Sequence, residues 1–215
     1  MTSLTEAPPE VAVARAATVA YAYPISVAQF EAMDRHDIFA PDEKLELIHG
    51  LITRKAPIKP PHASATTRLM YLLSRRCPDG WLVRCQLPVA LSDDSLPQPD
   101  FVVAQGQFAA YDDAHPTPSQ TGLVVEVSET TLAFDLGVKL ALYAAAKIPE
   151  YWVVDLANGK LHVHTLPRGG KKPGYGSVSA LGLDDEVPLT LRGEAFGAIR
   201  VGDFVPPLPS QGVFS

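Results

Sequence analysis

The sequence predicts an α/β fold in which a mixed central β-sheet is flanked by helices. Two observations carry this prediction. Segments with the period of a strand and segments with the period of a helix alternate along the chain. Two of the strand segments, FVVA and LVVEV, are apolar at almost every position, which is typical of strands that are covered on both faces.

Two helices are predicted in the N-terminal half of the chain. The first begins after Ser26, which serves as the N-cap with Gln29 completing a capping box, and it runs to about His36. The second covers residues 62–77, because its apolar residues recur at helical spacing. These residues form one core-facing stripe: Ala65, Leu69, Leu72, Leu73 and Cys77.

Two hairpins are predicted from short turn signals. Residues 44–48 and 51–55 alternate as strands around a His-Gly pair, and residues 151–156 and 160–166 flank an Asn-Gly pair. Glycine readily adopts the positive φ that such two-residue turns require. The first hairpin places Glu46 in the middle of a strand.

The middle of the chain predicts further strands and a third helix. Residues 81–91 have strand character, and the next strand begins with Asp100, because the preceding proline can only start a strand. A loop region ends at Gly122, before the buried strand LVVEVS. The Ala- and Leu-rich residues 135–147 predict a helix. After Arg168 the chain is rich in Gly and Pro, with short β-like runs such as VPLTL and AIRV.

The length of 215 residues suits one sizeable core, and we expect a single domain over residues 23–207. Residues 1–22 are expected to form a disordered N-terminal tail, and residues 208–215 a C-terminal tail. No apolar run reaches membrane-spanning length, so no membrane insertion is expected. Two cysteines without a secretory pattern favour reduced thiols and a cytoplasmic location.

The formal net charge of −6 argues against a simple nucleic-acid binder, because phosphate binding normally needs a basic surface. The charge is unevenly distributed, however. Residues 53–86 carry seven Lys or Arg residues against Asp79 alone, which gives a local charge of +6. On the second helix, Arg68 and Arg75 share one face and are the predicted DNA-binding pair. A solvated helix face is the alternative interpretation.

Two carboxylates stand in apolar strand segments, Asp100 in QPDFVV and Glu126 in LVVEVS. An unpaired buried charge costs on the order of several kcal/mol, so a partner must share it. Mg²⁺ prefers such oxygen ligands, and Lys139 on the following helix would act on the attacking water and the phosphoryl group. The pattern therefore predicts a metal-dependent nuclease. For Lys139 the alternative is a surface ion pair with Asp135, four residues earlier.

A second candidate metal site involves two histidines. His162 and His164 alternate on one predicted strand and project to one face, a spacing that is compatible with zinc. No third and fourth ligand stands at a persuasive spacing, so solvent-facing histidines are favoured. A hydrolase that uses histidine-bound zinc stays an alternative.

The order and spacing of several segments resemble the Uma-type restriction-endonuclease family of the PD-(D/E)xK nuclease superfamily. These segments are ISVAQFEAM, LELIHGLI, PPHASATTRLMYLL, QPDFVV, LVVEVSETT and DLGVKLALYAAAKIPEYWVVD, and the resemblance covers roughly residues 24–166. It implies a restriction-endonuclease-like fold and an endonuclease that uses Mg²⁺ or Mn²⁺ to hydrolyse DNA. It also implies metal-holding and catalytic roles for Glu46, Asp100 and Glu126.

The chain departs from the superfamily pattern at the strand lysine. Two residues after the second acid stands Ser128, whose hydroxyl carries no positive charge, and the resemblance places the lysine's role on Lys139. His49 stands where the family usually has an aspartate. Gln98 and His62 match positions that often flank the site, so they are accessory candidates.

These observations predict a Mg²⁺-dependent endodeoxyribonuclease whose catalytic residues are Glu46, Asp100, Glu126 and Lys139. Cutting both strands of a duplex is most easily arranged by a symmetric dimer, so a homodimer is expected. The alternative is a catalytically weak or inactive nuclease-fold module that binds nucleic acid or a protein partner. The acidic net charge and the missing strand lysine favour that alternative.

Overall fold

A six-stranded β-sheet lies at the centre of the computed structural model, which describes residues 21–206. The strands are β1 (Leu45–Ile48), β2 (Leu51–Arg54), β3 (Trp81–Cys85), β4 (Phe101–Gln105), β5 (Thr121–Ser128), β6 (Glu150–Asp155), β7 (Lys160–Arg168), β8 (Gly174–Leu181), β9 (Glu186–Leu191) and β10 (Glu194–Arg200). The helices are α1 (Val27–Arg35), α2 (Pro60–Arg76) and α3, which joins an α-helical turn (Leu132–Phe134), a π-helical segment (Asp135–Lys139) and an α-helical segment (Leu140–Ala145).

The central sheet has the strand order β3-β4-β5-β6-β7-β8. Neighbouring strands are antiparallel except β5 and β6, which run parallel. Parallel strands need a crossover connection, and α3 provides it. The pairs β1–β2 and β9–β10 form separate hairpins. The predicted α/β class with a mixed sheet is confirmed.

Apolar side chains cover both faces of the central sheet. On one face, Leu69 and Leu73 of α2 belong to a buried cluster that also contains Trp152 of β6 and Leu189 of β9. On the other face, Tyr143 of α3 belongs to a second cluster with Val102, Val124, Tyr151 and Val153. Side chains of a strand alternate between the two faces, so burial on both faces explains the continuous apolar runs of β4 and β5.

The first helix and the two tight hairpins form where the sequence predicts them. The Ser26 hydroxyl accepts a hydrogen bond from the Gln29 backbone N–H, and the Gln29 side chain accepts one from the Ser26 N–H. In the first hairpin, His49 and Gly50 have φ angles of 50° and 73°, as a two-residue turn requires. The second hairpin turns at Gly159.

Two element boundaries near the site differ from the prediction. Helix α2 begins at Pro60, because proline fits the first turn of a helix, where its missing N–H is not needed. The strand predicted over residues 81–91 ends at Cys85. Gln86 has a φ of 52°, so the chain leaves the sheet there, and the Gln86 N–H donates to the Asp100 carbonyl at 2.9 Å.

The start of β5 was also predicted too late. The strand begins at Thr121, so Gly122 lies inside it rather than in the preceding loop. A Cβ at position 122 would lie 2.6 Å from the ring of Trp81. The glycine is therefore needed for close packing and not for a turn.

The third helix and one strand are further corrections. The helix predicted over residues 135–147 begins at Leu132, ends at Ala145 and contains a π-helical segment. Strand β8 was not predicted, because its Gly- and Ser-rich sequence gives little strand signal.

The predicted tails fall outside the described residues, except for Tyr21 and Ala22. The extent of a single domain over residues 23–207 therefore stays a prediction. Between residues 21 and 206, no helix is long and apolar enough to cross a membrane. Both cysteines, Cys77 and Cys85, are free thiols.

Candidate active site

The predicted catalytic and accessory residues line one cavity of about 630 Å³. This cavity opens beside the ends of β4 and β5 and is bordered by the β1–β2 hairpin, α1 and α3. Its lining includes all six of them: Glu46, His62, Gln98, Asp100, Glu126 and Lys139. We call Glu46, Asp100, Glu126 and Lys139 the acid pocket.

Each member of the acid pocket comes from a different element. Glu46 lies on β1, Asp100 directly precedes β4, Glu126 lies on β5 and Lys139 ends the π-helical segment of α3. All four are only 3% exposed. The neighbouring positions of β4 and β5 bring the two predicted metal-holding acids together, as the apolar strand pattern predicted.

The hairpin acid is tied to the sheet through the backbone of Gln98. The Gln98 N–H donates to Glu46 Oε2 at 3.1 Å, and its side-chain amide donates to the Gln86 carbonyl at 2.9 Å. A bridge between Leu47 and Leu96 adds a second link. Gln98 therefore positions Glu46 through its main chain rather than by a side chain directed at the acids.

Lys139 bridges two carboxylates. Its Nζ donates to Glu126 Oε1 at 2.9 Å and lies 3.1 Å from Glu46 Oε2. Burial favours the neutral amine, but the carboxylates of Glu126 and Glu46 outweigh it and raise the pKa of Lys139. The ammonium stays charged. The alternative of a surface ion pair with Asp135 is wrong, because Lys139 is buried and directed at the acids.

Asp135 instead holds the start of the helix that carries the lysine. Its Oδ2 accepts hydrogen bonds from Ser128 Oγ and Thr131 Oγ1, both at 2.6 Å. The Tyr151 hydroxyl donates to the Asp135 carbonyl at 3.0 Å. A π-helical segment changes the direction of the side chains that follow it and is frequent at functional sites. These contacts fix the segment that directs Lys139 into the pocket.

Glu126 accepts hydrogen bonds from two buried side chains. The Tyr143 hydroxyl donates to its Oε1 at 2.8 Å, the same oxygen that Lys139 contacts. Burial raises the pKa of Glu126 to about 8, although the charge of Lys139 acts in the opposite direction. A positive charge beside Glu126 therefore favours its ionised form.

Asp100 is surrounded by donors. Its Oδ2 accepts from the Val127 N–H at 2.8 Å and lies 3.3 Å from His62 Nε2, and its Oδ1 lies 3.9 Å from Lys55 Nζ. Burial favours the protonated form, but His62, Lys55 and the Val127 N–H together hold the pKa of Asp100 below its usual value. Asp100 is therefore an ionised carboxylate, and His62 contacts it directly.

Lys55 is a site residue that the sequence did not reveal. It follows β2, lines the cavity and donates to the Gln98 carbonyl at 2.5 Å, with a side chain that is only 15% exposed. In the sequence it was one of seven basic residues in a mixed stretch. The hairpin register could have indicated Lys55. Thr53 is the cross-strand partner of Glu46, and Lys55 follows Thr53 by two residues.

The predicted DNA-binding pair lies away from this cavity. Arg68 and Arg75 are exposed on α2, and neither lines the cavity. Arg75 lies over the ring of Tyr71 at 5.4 Å and donates to its hydroxyl at 3.2 Å. A DNA contact by these arginines stays a prediction.

The second candidate metal site, His162 and His164, includes a histidine that is packed in the core. His164 is only 3% exposed and lies against the rings of Tyr151 and Tyr175, at 5.7 and 5.8 Å between ring centres. We call these three residues the aromatic stack. Burial lowers the pKa of His164 to about 4. The expectation that both histidines face solvent is wrong for His164, and His162 lies 3.5 Å from Asp155 rather than beside a ligand set.

The acid pocket offers oxygen donors for a divalent cation. Within residues 21–206, no three His, Cys, Asp or Glu side chains are grouped closely enough to hold a metal ion together. In the acid pocket, Lys139 contacts both Glu126 and Glu46. Mg²⁺ needs only one or two carboxylates and keeps several waters, so the donor set of Asp100 and Glu126 fits this ion chemically.

Comparison with known proteins identifies a family and a shared fold. The family model described as "Uma2: Putative restriction endonuclease" matches residues 27–197. The crystal structure of a putative nuclease from Anabaena variabilis shares the fold, with a TM-score of 0.63 and 13% sequence identity over 85% of this chain and 98% of that chain. No curated protein matches the chain. The restriction-endonuclease-like fold is thereby confirmed, and the chain belongs to the Uma2 family of putative restriction endonucleases.

Proposed function

We propose that the protein is an endonuclease that uses Mg²⁺ or Mn²⁺ to hydrolyse DNA phosphodiester bonds. One observation carries this proposal: Asp100, Glu126 and Lys139 meet in a single buried pocket that opens into a cavity. Two carboxylates can hold a divalent cation, and an ammonium can stabilise the charge that grows on a phosphoryl group. The family membership supports nuclease activity in general terms.

Asp100 and Glu126 are the residues that would hold the metal ion, and Glu46, which contacts Lys139, would hold a water of the ion. When bound, the ion supplies a Lewis acid for the phosphoryl oxygen and makes its bound water easier to ionise. Asp100 can bind a cation as a carboxylate, because its pKa is held below the usual value. Burial raises the pKa of Glu126, and a bound cation would act against this shift and favour the ionised carboxylate.

Lys139 acts as a cation and not as a base. Its pKa is raised by Glu126 and Glu46, so it stays protonated and cannot take a proton from water. A buried ammonium can orient the attacking water and stabilise the negative charge that grows on the phosphoryl oxygens. The electrostatic effect is large because the pocket excludes most solvent.

Lys55 supplies a second positive charge. Its Nζ lies near Oδ1 of Asp100, whereas the backbone N–H of Val127 on β5 donates to Oδ2. The Lys55 ammonium lies in the cavity lining and is partly accessible. A scissile phosphate that approaches Asp100 through the cavity would meet this charge. We assign Lys55 to phosphate binding, which compensates in part for the acidic net charge of the chain.

The second candidate function is a nuclease-fold module that binds nucleic acid or a protein partner without cleavage. One observation favours it: the cavity rim carries several acidic residues, which disfavour a close approach of DNA. They lie on α1 and in the segment after it: Glu31, Asp34, Asp37 and Glu43. Cleavage is the measurement that separates the two functions.

The proposed function is tested with supercoiled plasmid DNA in Mg²⁺, in Mn²⁺ and in EDTA. We expect nicked or linear products only when a metal ion is present. Asp100→Asn should lose both cleavage and Mn²⁺ binding measured by calorimetry, whereas Asp112→Asn, at an exposed aspartate, should retain both. DNA binding without cleavage would support the non-catalytic module. Cleavage that is unaffected by Asp100→Asn would remove the acid pocket from the reaction.

A further inference from the structure

Strand β8 is an open edge of the central sheet. It pairs with β7 on one side, and no other strand of the described part of the chain pairs with its outer side. An edge strand presents unpaired N–H and C=O groups that can pair with another chain. At eight residues, β8 is longer than β3, the five-residue strand at the opposite edge.

The edge carries none of the side chains that usually prevent pairing. Natural edge strands are commonly protected by lysine, other charged residues or proline. The sequence of β8 is GYGSVSAL, which has no charged residue and no proline. Residues 177–180 are exposed, and Val178 near the middle of the strand is 60% exposed.

Charged residues instead stand just beyond the two ends of β8. Lys171 and Lys172 lie in the turn before the strand, and Asp184 and Asp185 lie in the turn after it. All four are exposed. Asp184 pairs with Arg200 of β10, so Asp185 is the aspartate of this turn that forms no ion pair with the described residues. If two copies of β8 paired antiparallel, the lysine turn of each copy would lie beside the aspartate turn of the other. Parallel pairing would place lysines beside lysines and is disfavoured.

We propose that β8 is the interface of a homodimer, in which two copies of the strand pair antiparallel about a two-fold axis near Val178. The pairing joins two six-stranded sheets into one continuous sheet and forms the same lysine–aspartate contacts twice. This inference concerns an edge remote from the acid pocket in strand order and does not rest on nuclease activity. A two-strand contact is small, so the dimer is concentration-dependent.

The test is analytical ultracentrifugation of the full chain over a wide concentration range. Wild-type protein should sediment as a dimer at roughly 100 μM and dissociate on dilution, as expected for a small interface. Val178→Lys places a charge at the two-fold axis and should raise the dimer dissociation constant at least about tenfold. Phe108→Lys, at another exposed apolar residue, is the matched control and should leave the constant unchanged.

Charge reversal tests the antiparallel arrangement separately. Lys171→Glu and Asp185→Lys should each weaken the dimer, and the double variant should recover most of the loss because the contact is re-formed with opposite signs. Circular dichroism of each variant checks that the chain is folded. A monomeric wild type, a Val178→Lys variant that dimerises normally, or a double variant without recovery would each overturn the proposal.

Discussion

The acid pocket and the aromatic stack are both buried and both contain titratable groups. They differ in charge, because the acid pocket contains ionised side chains and the aromatic stack contains a neutral histidine. In the acid pocket, Lys139 contacts two carboxylates, and Asp100 has His62 and Lys55 beside it. In the aromatic stack, neither ring nitrogen of His164 has a hydrogen-bond partner among the described residues. Neighbouring groups thus favour the charged forms of Lys139 and Asp100, whereas burial favours the neutral form of His164.

The two regions are also physically joined. Tyr151 belongs to the aromatic stack, and its hydroxyl donates to the Asp135 carbonyl in the π-helical segment. Tyr143 packs against Tyr151, with 4.8 Å between ring centres, and donates to Glu126. The packed aromatic stack thus helps to position the residues of the acid pocket.

The largest expected difference between the regions is in stability. Lys139→Met leaves Glu126 and Glu46 buried beside each other without a cation, which should lower the free energy of unfolding by about 3 kcal/mol at pH 8. Urea denaturation measures this value. Lys160→Met, at an exposed lysine, should stay within about 0.5 kcal/mol of wild type. Equal effects of the two substitutions would show that Lys139 does not compensate buried charge.

The contribution of the aromatic stack to the free energy of unfolding should depend on pH. Burial lowers the pKa of His164 to about 4, so the folded protein binds fewer protons than the unfolded chain between pH 4 and 6.5. Stability that is present above pH 6.5 is therefore lost as the pH falls towards 4. His164→Phe should abolish this loss, which amounts to about 2 kcal/mol at pH 5.

Thermal or urea unfolding at pH 7 and pH 5 measures the effect. His36→Gln, at an exposed histidine, is the control and should keep the wild-type pH dependence. An unchanged acid sensitivity in His164→Phe would mean that His164 is protonated in the folded protein, and the contrast between the two regions would disappear.

The smallest effect concerns the second cation of the site. Lys55→Met should reduce kcat/KM for plasmid cleavage about tenfold, because a charge that stabilises the bound phosphate is removed. Lys160 is the control, since it is an exposed lysine outside the cavity lining. Equal losses in Lys55→Met and Lys160→Met would indicate a general charge effect.

The parts of the fold that depend on local signals could be predicted from the sequence. The Ser26 capping box and the His49–Gly50 turn are recognised within a few residues, and both form as predicted. Asp100 and Glu126 could be predicted as site residues because a carboxylate is unfavourable in an apolar strand unless another group compensates its charge. These features need no knowledge of distant contacts.

The remaining features depend on contacts between distant residues. Lys55 reaches Asp100 from 45 positions earlier in the chain, and the π-helical segment is held by Ser128 and Tyr151 from neighbouring strands. The burial of His164 follows from Tyr175 on β8, a strand whose composition gives no clear signal. Such arrangements arise from tertiary packing and leave little trace in local patterns.

We propose that Lys139 is the cation of a metal-dependent nuclease site, in the role of the strand lysine of the nuclease superfamily that the sequence resembles; Ser128 stands at that strand position. The most direct measurement is plasmid cleavage by Lys139→Met beside wild type and Lys160→Met, with Mn²⁺ affinity measured in parallel. We expect Lys139→Met to lose about 10²- to 10³-fold in rate while it binds Mn²⁺ equally or more tightly. Adding Ser128→Lys should restore part of the rate. Full activity in Lys139→Met would contradict the claim.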